Sequence, residues 1–449
     1  INGENFTSDY FYVQRTQLYD ENYPELNLAY GDLTKATIDS KTGDRASAGF
    51  FGRINYDYKG IYLLELNGRY DGSSRFRAGD RWAFFPSFSM GYRFSEEPYW
   101  KDLKNIVSNG KLRFSYGQIG NEAVGDNMFL STVGAYQMKW LNGSNTKLNA
   151  FGMPTWVNPA LTWERIQTSN LGIDLGFLNN ELNMTFELYQ RLTKDMLCPG
   201  QAIPSAVGAE APYTNNGQLR SRGWELSLAW RHQFTKDLAA YANFSIGDSK
   251  IKVTKWKSSG ENIGRTNDVK YAYKGETWGD IWGFETERYF TEDDFNGKDA
   301  SGKWIYKAGV ADQTGIQTDN FVYGPGDIKF KDLNGDGKIN GGKGTLKDHG
   351  DLKVIGNVLP RYEYSFRVGA NWKGFDIDAF FQGVGKRDMW TLSAFNFPTM
   401  NHPDLTLYKN QTKYNVYDPA NGVVNISENN DYPCLWPGNN TKGNVTALA

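Results

Sequence analysis

The sequence contains few of the residues that staple small folds or hold metal ions. It has 2 cysteines and 3 histidines in 449 residues, and neither Cys198 nor Cys434 has a CxxC partner or a nearby histidine. A disulfide-stapled scaffold, a zinc finger and a catalytic thiol are therefore excluded. The two cysteines form either one long-range disulfide or two isolated thiols, and we favour the second interpretation.

Long apolar runs are also missing from the chain. No stretch approaches the roughly 18 consecutive apolar residues that a transmembrane helix needs. This excludes a helical membrane protein but not a membrane β-barrel, whose strands carry only a two-residue alternation. The chain starts at Ile1 without a recognisable secretory signal. We therefore expect either that processing has removed a leader or that the sequence is an internal piece.

Charge of one sign is absent too. The 49 basic and 51 acidic residues leave a net charge of −2. The chain therefore has no overall positive charge that would attract nucleic acid. Aromatic residues, in contrast, make up 15% of the chain, although the mean hydropathy is −0.60. A chain that is polar on average and yet so rich in rings needs a structural explanation.

Strict alternation of apolar and polar residues is the dominant pattern along the chain. Between residues 361 and 372, for example, aromatic and aliphatic residues alternate with Arg, Glu, Ser, Gly and Asn. This period predicts β-strands with one apolar and one polar face. Such strands are predicted at 49–58, 61–71, 84–94, 111–118, 169–178, 182–188, 223–231, 238–252, 361–372 and 375–384. The one stretch that suggests a helix is 97–107.

The connections between predicted strands alternate between short and very long. Tight turns lie at Tyr58–Gly60, Asn179–Asn180 and Lys373–Gly374, whereas 119–165 and 253–360 are long excursions. Strand parity places the short turns on one side and the long segments on the other, as in an outer-membrane barrel. A soluble antiparallel sheet also alternates, but polar faces rich in Gly, Asn and Arg favour a wet barrel lumen.

Several blocks in family order resemble the SusC/RagA family over about residues 50 to 388. These blocks are Arg53–Glu65, Arg69–Phe76, Phe85–Glu97, Leu112–Asn121, Asn158–Glu164, Gly326–Ile339, Ile355–Tyr362 and Trp372–Gly383. The resemblance implies an all-β protein, an antiparallel transmembrane β-barrel with long extracellular loops, in the outer membrane of Bacteroidetes. It also implies import of oligosaccharides or peptides, driven by a TonB complex and assisted by a SusD-like surface lipoprotein as a lid.

The family's barrels are large and plugged, and the chain resembles only part of one. It shows no TonB box, no plug domain and no match to the last strands after residue 388. We therefore expect residues 1–449 to be a central barrel portion, with 253–360 as a long extracellular loop region. About a dozen strands with two open edges could not close alone in lipid, so further segments of the same polypeptide are expected, among them the N-terminal parts that contact the TonB complex.

One segment resembles the start of a calcium-binding EF-hand loop. Asp332, Asn334 and Asp336 supply oxygen at positions 1, 3 and 5, and Lys338 supplies a carbonyl at position 7. Position 12 is Lys343 instead of an acid. In the SusC/RagA pattern an acidic residue precedes the Ile-Gly-Asn block by a few residues, and the resemblance therefore implies that Asp351, four residues before Ile355, closes the site. The hypothesis is a structural Ca²⁺ site that stiffens the loop; the alternative is an Asx-rich turn without metal.

Rings and charges in the predicted loops are candidate substrate contacts. Trp278, Trp282 and Tyr289 could stack on sugar faces, or they could form the private core of a long loop. Asp71 and Arg75 lie on the predicted extracellular side, where pairing with each other is the favoured interpretation and substrate contact the second.

The sequence thus supports two functions from different classes. The first is the outer-membrane transporter, which is not an enzyme. The alternative is a secreted, aromatic-rich β-sheet protein that binds carbohydrate or hydrolyses glycosides and carries a calcium loop. A hydrolase would need two carboxylates at a fixed separation in one cleft, and the sequence offers no such pair.

Overall fold

The structure is a computed structural model, and it describes residues 1–20, 22–141, 143–200, 203–256, 263, 272–317, 322–389 and 413–434. The chain divides into two compact units, residues 1–232 and residues 233–449. In the described residues, no helix is long and apolar enough to cross a membrane.

Extended strands dominate both units. The first unit contains β1 Asn2–Gln14, β2 Thr37–Tyr58, β3 Tyr62–Ser73, β4 Trp82–Tyr92, β5 Val107–Asn121, β6 Ala135–Leu141, β7 Lys147–Phe151, β8 Glu164–Phe177, β9 Leu182–Cys198 and most of β10 Thr214–Thr235. The second contains β11 Leu238–Lys255, β12 Asp280–Phe284, β13 Thr286–Tyr289, β14 Phe295–Lys298, β15 Trp304–Tyr306, β16 Ile328–Phe330, β17 Leu352–Asn357, β18 Arg361–Trp372, β19 Phe375–Lys386, β20 Val416–Asp418 and β21 Val423–Asn425.

In the residues that the structure describes, helical structure is limited to short 3₁₀ segments. The predicted helix over 97–107 is one such segment, Pro98–Leu103, followed by a turn at 104–106 and then by β5. Its six residues are too few to present an amphipathic stripe, and Trp100 anchors it by donating from Nε1 to the carbonyl of Val107 at 3.2 Å. The others are Leu26–Leu28, Leu33–Lys35, Phe94–Glu96, Ser205–Val207, Glu292–Asp294, Thr314–Ile316 and Pro419–Asn421.

The long strands of the first unit form one antiparallel sheet. Its order is β1-β2-β3-β4-β5-β8-β9-β10, so neighbours in sequence are neighbours in the sheet once the small hairpin β6-β7 is set aside. The predicted strands are confirmed, but most are longer than the alternation indicated. Strand β1 and the first half of β2 were not predicted, because polar residues occupy much of both.

In the β3-β4 pair, the alternation places apolar and polar residues on opposite faces of the sheet. One face carries the pairs Tyr62–Tyr92, Leu64–Met90, Leu66–Phe88 and Tyr70–Phe84; the other carries Glu65–Ser89, Asn67–Ser87 and Arg69–Phe85. Most of the apolar face is exposed in this structure. An exposed apolar face opposite a polar one is the pattern of a strand between lipid and a wet lumen.

Aromatic rings concentrate at both ends of this apolar face. At the turn end, Tyr62 stacks on Tyr92 with ring centroids 5.2 Å apart; at the loop end, Tyr70 stacks on Trp82 at 5.1 Å. Eight residues separate Tyr62 from Tyr70, which is roughly 27 Å along a strand. That length is close to the roughly 25 Å apolar band of outer-membrane barrels, whose edges carry aromatic girdles.

The predicted tight turns have the backbone that two-residue hairpins require. Lys59 and Gly60 have φ of 56° and 64°, and Lys373 and Gly374 have 45° and 88°. Positive φ at both central residues matches the twist of the flanking strands. At β18-β19, the turn fixes the register of Trp372 opposite Phe375, so the apolar faces of both strands coincide.

In the second unit, β11 pairs with β18 and β18 with β19, all antiparallel. Strand β18 has the predicted bounds of residues 361 to 372. Among the described residues, β1 pairs with β2 alone and β19 with β18 alone. Two strand edges therefore stay open, as expected for part of a barrel.

The described residues of the predicted long loop, 253–360, fold into a small structure with its own core. Strands β12 to β17 form three two-stranded sheets. They enclose a cluster of Phe290, Phe295, Tyr323, Ile328, Phe330 and Ile339. The buried amide of Gln313 joins this core to β16: it donates to the Ile328 carbonyl at 3.1 Å and accepts from the Phe330 N–H at 2.7 Å.

Residues 413–434 pack onto this loop structure. Asn415, fully buried, donates from Nδ2 to the carbonyl of Gly326 at 3.0 Å, and the backbone N–H of Cys434 donates to the same oxygen at 3.0 Å. Among the described residues no disulfide joins Cys198 and Cys434, and both are buried, so the interpretation without a long-range disulfide is confirmed. Burial raises the pKa of the Cys434 thiol to about 12, which makes it a poor nucleophile.

Candidate functional site

A cavity of about 450 Å³ opens in the first unit where β3, β4 and β5 run into their long loops. Its charged lining residues are Arg69, Asp71 and Glu122. By strand parity this end lies opposite the tight turns, on the side expected to be extracellular. The cavity is therefore placed at the mouth of the barrel portion.

Asp71 and Arg75 do not pair with each other, so the favoured sequence interpretation is wrong. Asp71 accepts a hydrogen bond from Arg69 Nε at 2.5 Å, and Arg75 Nε donates to Asp126 Oδ1 at 2.8 Å. Arg69 stands two residues before Asp71 on the same strand face, so the alternation itself brings the two together. Arg75 follows the end of β3 and reaches across to the loop after β5.

Two close contacts shape the cavity around Asp71. A Cβ on Gly49 would lie 2.3 Å from Asp71 Oδ1. Any residue other than glycine at position 49 would therefore displace the Asp71 carboxylate. Phe85 and Trp163, which are 3% and 5% exposed, form an aromatic wall with ring centroids 5.6 Å apart. Trp163 is fixed by its Nε1, which donates to the Arg81 carbonyl at 2.9 Å.

A charged network lies on the polar face of the same sheet. Arg113 donates to both oxygens of Asp174, at 2.7 and 2.9 Å, and to Glu187 at 2.7 Å. Asn170 Nδ2 completes the network by donating to Glu187 at 2.9 Å. The sequence analysis missed these residues, although their regular places on the polar faces of three predicted strands could have indicated a cross-strand cluster.

The EF-hand-like segment folds as a tight loop of side-chain-to-backbone hydrogen bonds. Asp332 accepts from the N–H groups of Gly335 at 2.7 Å and Gly337 at 2.8 Å. Asn334 accepts from the N–H of Asp336, and Asp336 accepts from the N–H of Lys338. The three oxygen-bearing side chains at alternate positions are thus held on one short loop, with Asp336 exposed.

Asp351 closes this loop, but as an acceptor of backbone hydrogen bonds. Its side chain is fully buried. One oxygen accepts from Leu333 at 2.8 Å and Asn334 at 3.4 Å, and the other accepts from Asn340 at 2.9 Å. Asp351 was predicted as the closing ligand, and the structure gives both of its oxygens protein partners.

The oxygen atoms of the loop match part of the ligand set that a hard cation such as Ca²⁺ requires. Carboxylate, amide and carbonyl oxygens are the ligands that Ca²⁺ takes, and Asp332, Asn334, Asp336 and the Lys338 carbonyl can supply them. Within the described ranges, however, no three His, Cys, Asp or Glu side chains form a group that could hold a metal ion. The loop therefore offers fewer charged ligands than a complete EF-hand.

The three rings proposed as sugar contacts lie within the loop structure. Trp282 is 9% exposed and contacts His349 at 5.5 Å between ring centroids, so it belongs to the interior of the loop. Trp278 is half-buried beside Trp256 at 6.4 Å. Tyr289 is half-buried and donates its hydroxyl to the Asn430 carbonyl at 3.0 Å.

A second, wider groove of about 900 Å³ lies on the surface of the loop structure. Trp304, Lys307, Lys331 and Asp332 are among its lining residues. Lys298 sits over the face of Trp304, 4.8 Å from its centroid. The groove thus presents an aromatic ring, mixed charges and the first residue of the EF-hand-like segment to one surface.

Among the titratable groups of the loop structure with displaced pKa values, Asp294 and Glu276 are carboxylates shifted in opposite directions. Burial opposes ionisation of Asp294, but hydrogen bonds from both Arg288 nitrogens, at 2.6 and 2.7 Å, and from Thr291 lower its pKa to about 2. Burial raises the pKa of Glu276 to about 7, and the neighbouring Asp280 adds to the rise.

The family model described as "TonB dependent receptor-like, beta-barrel" matches residues 2–321, well over half of the chain. The chain belongs to this family. Its barrels lie in the outer membrane, so the predicted fold class and location are confirmed. The matched residues include the whole sheet of the first unit and β11 to β15 of the second.

Curated relatives of this barrel portion are also named as TonB-dependent receptors. "TonB-dependent receptor SusC" of Bacteroides thetaiotaomicron is 31% identical over 310 residues, which cover 63% of this chain and 30% of that protein. "TonB-dependent receptor P3" of Formosa agariphila is 27% identical over 341 residues, covering 74% and 31%. The resemblance to SusC/RagA proteins is therefore confirmed. The chain spans about a third of the length of these relatives, which are named as receptors and not as enzymes.

A solved structure supports the fold. The structure titled "RagAB peptide importer in the 'closed-closed' state" aligns with a TM-score of 0.62 at 20% identity, over 85% of this chain and 38% of that one. At this identity the likeness bears on the fold alone. The chain accordingly has the fold of part of a TonB-dependent barrel, with the mouth cavity and the loop structure as its candidate functional regions.

Proposed function

We propose that this chain is the central barrel portion of a TonB-dependent importer of oligosaccharides or peptides. The observation that carries the proposal is the family match over residues 2–321. The exposed apolar face bounded by stacked rings supports it, because such a face is suited to lipid. Peptides are the cargo named for the similar RagAB structure, and the resemblance to the SusC/RagA family implies oligosaccharides as the other class.

We also propose a SusD-like surface lipoprotein as partner. The loop structure built on β12 to β17 has its own hydrophobic core and so presents a preformed surface on the expected extracellular side. The groove beside Trp304 carries both charges and an aromatic ring, a composition common at polar protein interfaces. The lipoprotein would act as a lid over the barrel mouth and its cavity.

The loop at Asp332–Lys338 supports a further proposal, a weak structural Ca²⁺ site. Asp332, Asn334, Asp336 and the Lys338 carbonyl would be its ligands, while Asp351 holds the backbone of the loop. Its role would be to stiffen one wall of the groove, since Asp332 lines that groove.

Uptake of labelled cargo tests the transport proposal. Cells that express the complete polypeptide would be given mixtures of fluorescent oligosaccharides and of fluorescent peptides, with and without a functional TonB gene. We expect accumulation of one cargo class that disappears when TonB is deleted. Equal accumulation with and without TonB, or none of either class, would contradict the proposal. Co-purification of the tagged complete polypeptide with a surface lipoprotein tests the partner.

A further inference from the structure

Within the part of the chain that the structure describes, one charge in the mouth cavity has no partner. Glu122 lines the cavity beside Arg69 and Asp71. Its Oε2 is buried without a hydrogen-bond partner, and Glu122 takes part in no ion pair within the described part of the chain. A carboxylate oxygen removed from water normally acquires a donor, because leaving it unsatisfied is costly.

The neighbouring charges are already balanced. Arg69 is paired with Asp71 at 2.5 Å, and Arg75 is paired with Asp126 at 2.8 Å. Arg75 also donates from Nη1 to the backbone carbonyl of Glu122 at 3.0 Å, which holds this residue's backbone at the rim. Glu122 therefore gives the cavity one net negative charge, and Arg75 holds the backbone from which its side chain projects.

The cavity has the size and walls for a side chain that ends in a cation. About 450 Å³ lies within the range of small-ligand sites. The aromatic wall of Phe85 and Trp163 offers apolar surface for the methylene stem of a lysine or arginine. Glu122 as a whole is only half-buried, so its carboxylate, at the end of such a slot, would meet the ammonium or guanidinium group through its accessible oxygen.

We propose that this cavity is a cargo subsite for an ammonium or guanidinium group, with Glu122 as its counter-ion. The inference rests on the proposed import function and narrows its cargo to molecules that carry a cationic group, in the first place peptides. Neutral oligosaccharides have no group that needs this charge. Glu122 would thus make the entrance selective before the cargo reaches the rest of the barrel.

The test compares two blocked tripeptides that differ in one charge. Acetyl-Ala-Lys-Ala-amide and its Nε-acetyl-lysine analogue are titrated calorimetrically into the complete polypeptide in detergent. We expect the lysine peptide to bind roughly tenfold more tightly than its neutral analogue, as for one charge-assisted contact. In Glu122→Gln the preference should vanish. In the control Glu210→Gln, an exposed carboxylate in the loop after β9, it should persist.

Other outcomes would overturn the subsite. Equal affinity for the two peptides in the wild-type protein would do so, as would an undiminished preference in Glu122→Gln, or no binding of either peptide. If Glu122→Gln instead made the barrel more sensitive to protease without changing peptide binding, the carboxylate would serve another segment of the polypeptide.

The two proposals can fail separately. TonB-dependent uptake is measured without reference to Glu122, whereas the charge preference is measured on purified protein without TonB. A lost preference in Glu122→Gln together with TonB-independent uptake would keep the subsite and reject the import mechanism. TonB-dependent uptake with no charge preference would keep import and reject the subsite.

Discussion

Asp351 accepts a hydrogen bond from the backbone N–H of Leu333 at 2.8 Å, across 18 positions of sequence. The same carboxylate holds Asn340, so a single buried side chain fastens both ends of the EF-hand-like loop. Ile339, between these ends, is fully buried in the adjoining core. The buried Asp351 carboxylate and the buried Ile339 side chain therefore hold the same segment in place.

We expect Asp351→Ala to open this loop. The change leaves three backbone N–H groups without their acceptor and should lower the local free energy of opening by roughly 3 kcal/mol. Hydrogen–deuterium exchange of a peptide covering 332–340 measures the effect. Asp348→Ala is the matched control, because its carboxylate is half-exposed and lies 3.9 Å from Lys343. Unchanged exchange in Asp351→Ala would contradict the closure described above.

Alternation predicted the barrel strands well because lipid-facing and lumen-facing positions differ sharply in polarity. Strand β18 was located to the residue, with Phe366 opposite Phe244 and Ser365 opposite Ser245 as a period of two requires. The loop structure was harder to predict, since its short strands are held by non-local contacts. Phe290 and Phe330, 40 positions apart, share one core, and no local period marks either as buried.

The candidate site was predicted in its location but not in its pairings. Asp71 was singled out and does line the mouth cavity, but Arg69 and not Arg75 is its partner. Glu122 was missed because its position depends on how the loop after β5 returns to β3. Which charges meet across a loop is decided by chain geometry, and turn chemistry in the sequence leaves that geometry open.

The Arg288–Asp294 pair should stabilise the loop structure. Asp294 is 3% exposed, and two guanidinium nitrogens and Lys329, at 3.6 Å, surround it. Asp294→Asn leaves these cations without their anion and should cost about 3 kcal/mol. Because the folded pKa of about 2 lies below the ordinary 3.8, this stabilisation is present above pH 4 and is lost as pH falls toward 2.

Limited proteolysis of the loop structure across this pH range measures the prediction. Glu285→Gln is the control, since Glu285 bridges Lys331 and Lys353 at the surface, where ion pairs contribute little. Equal protease resistance of Asp294→Asn and Glu285→Gln at neutral pH would count against a structural role for the buried pair.

Glu276 should make the segment around Trp278 sensitive to pH near neutrality. Its folded pKa of about 7 lies above the ordinary 4.5, so folding favours the protonated acid. The stabilisation is complete below about pH 4.5 and declines as pH rises through 7. Exchange of a peptide covering 272–284, corrected for intrinsic rates, should therefore accelerate between pH 6 and 8. Glu276→Gln should abolish the change and Asp293→Asn should not; a flat wild-type profile would refute the prediction.

Calcium binding is expected to depend on Asp336, whose exposed carboxylate accepts the Lys338 N–H at 2.8 Å and keeps further lone pairs for a cation. With few charged ligands, the dissociation constant should fall in the weak extracellular range of roughly 10⁻⁴ to 10⁻³ M. Calorimetry with Ca²⁺ should give saturable heat for the wild-type protein and none for Asp336→Ala. Asp299→Ala removes a comparable exposed turn, in which Asp299 accepts from Ser301 and Lys303, and should leave the heat unchanged. Identical heats in wild type and Asp336→Ala would show that the loop is an Asx-rich turn that needs no metal.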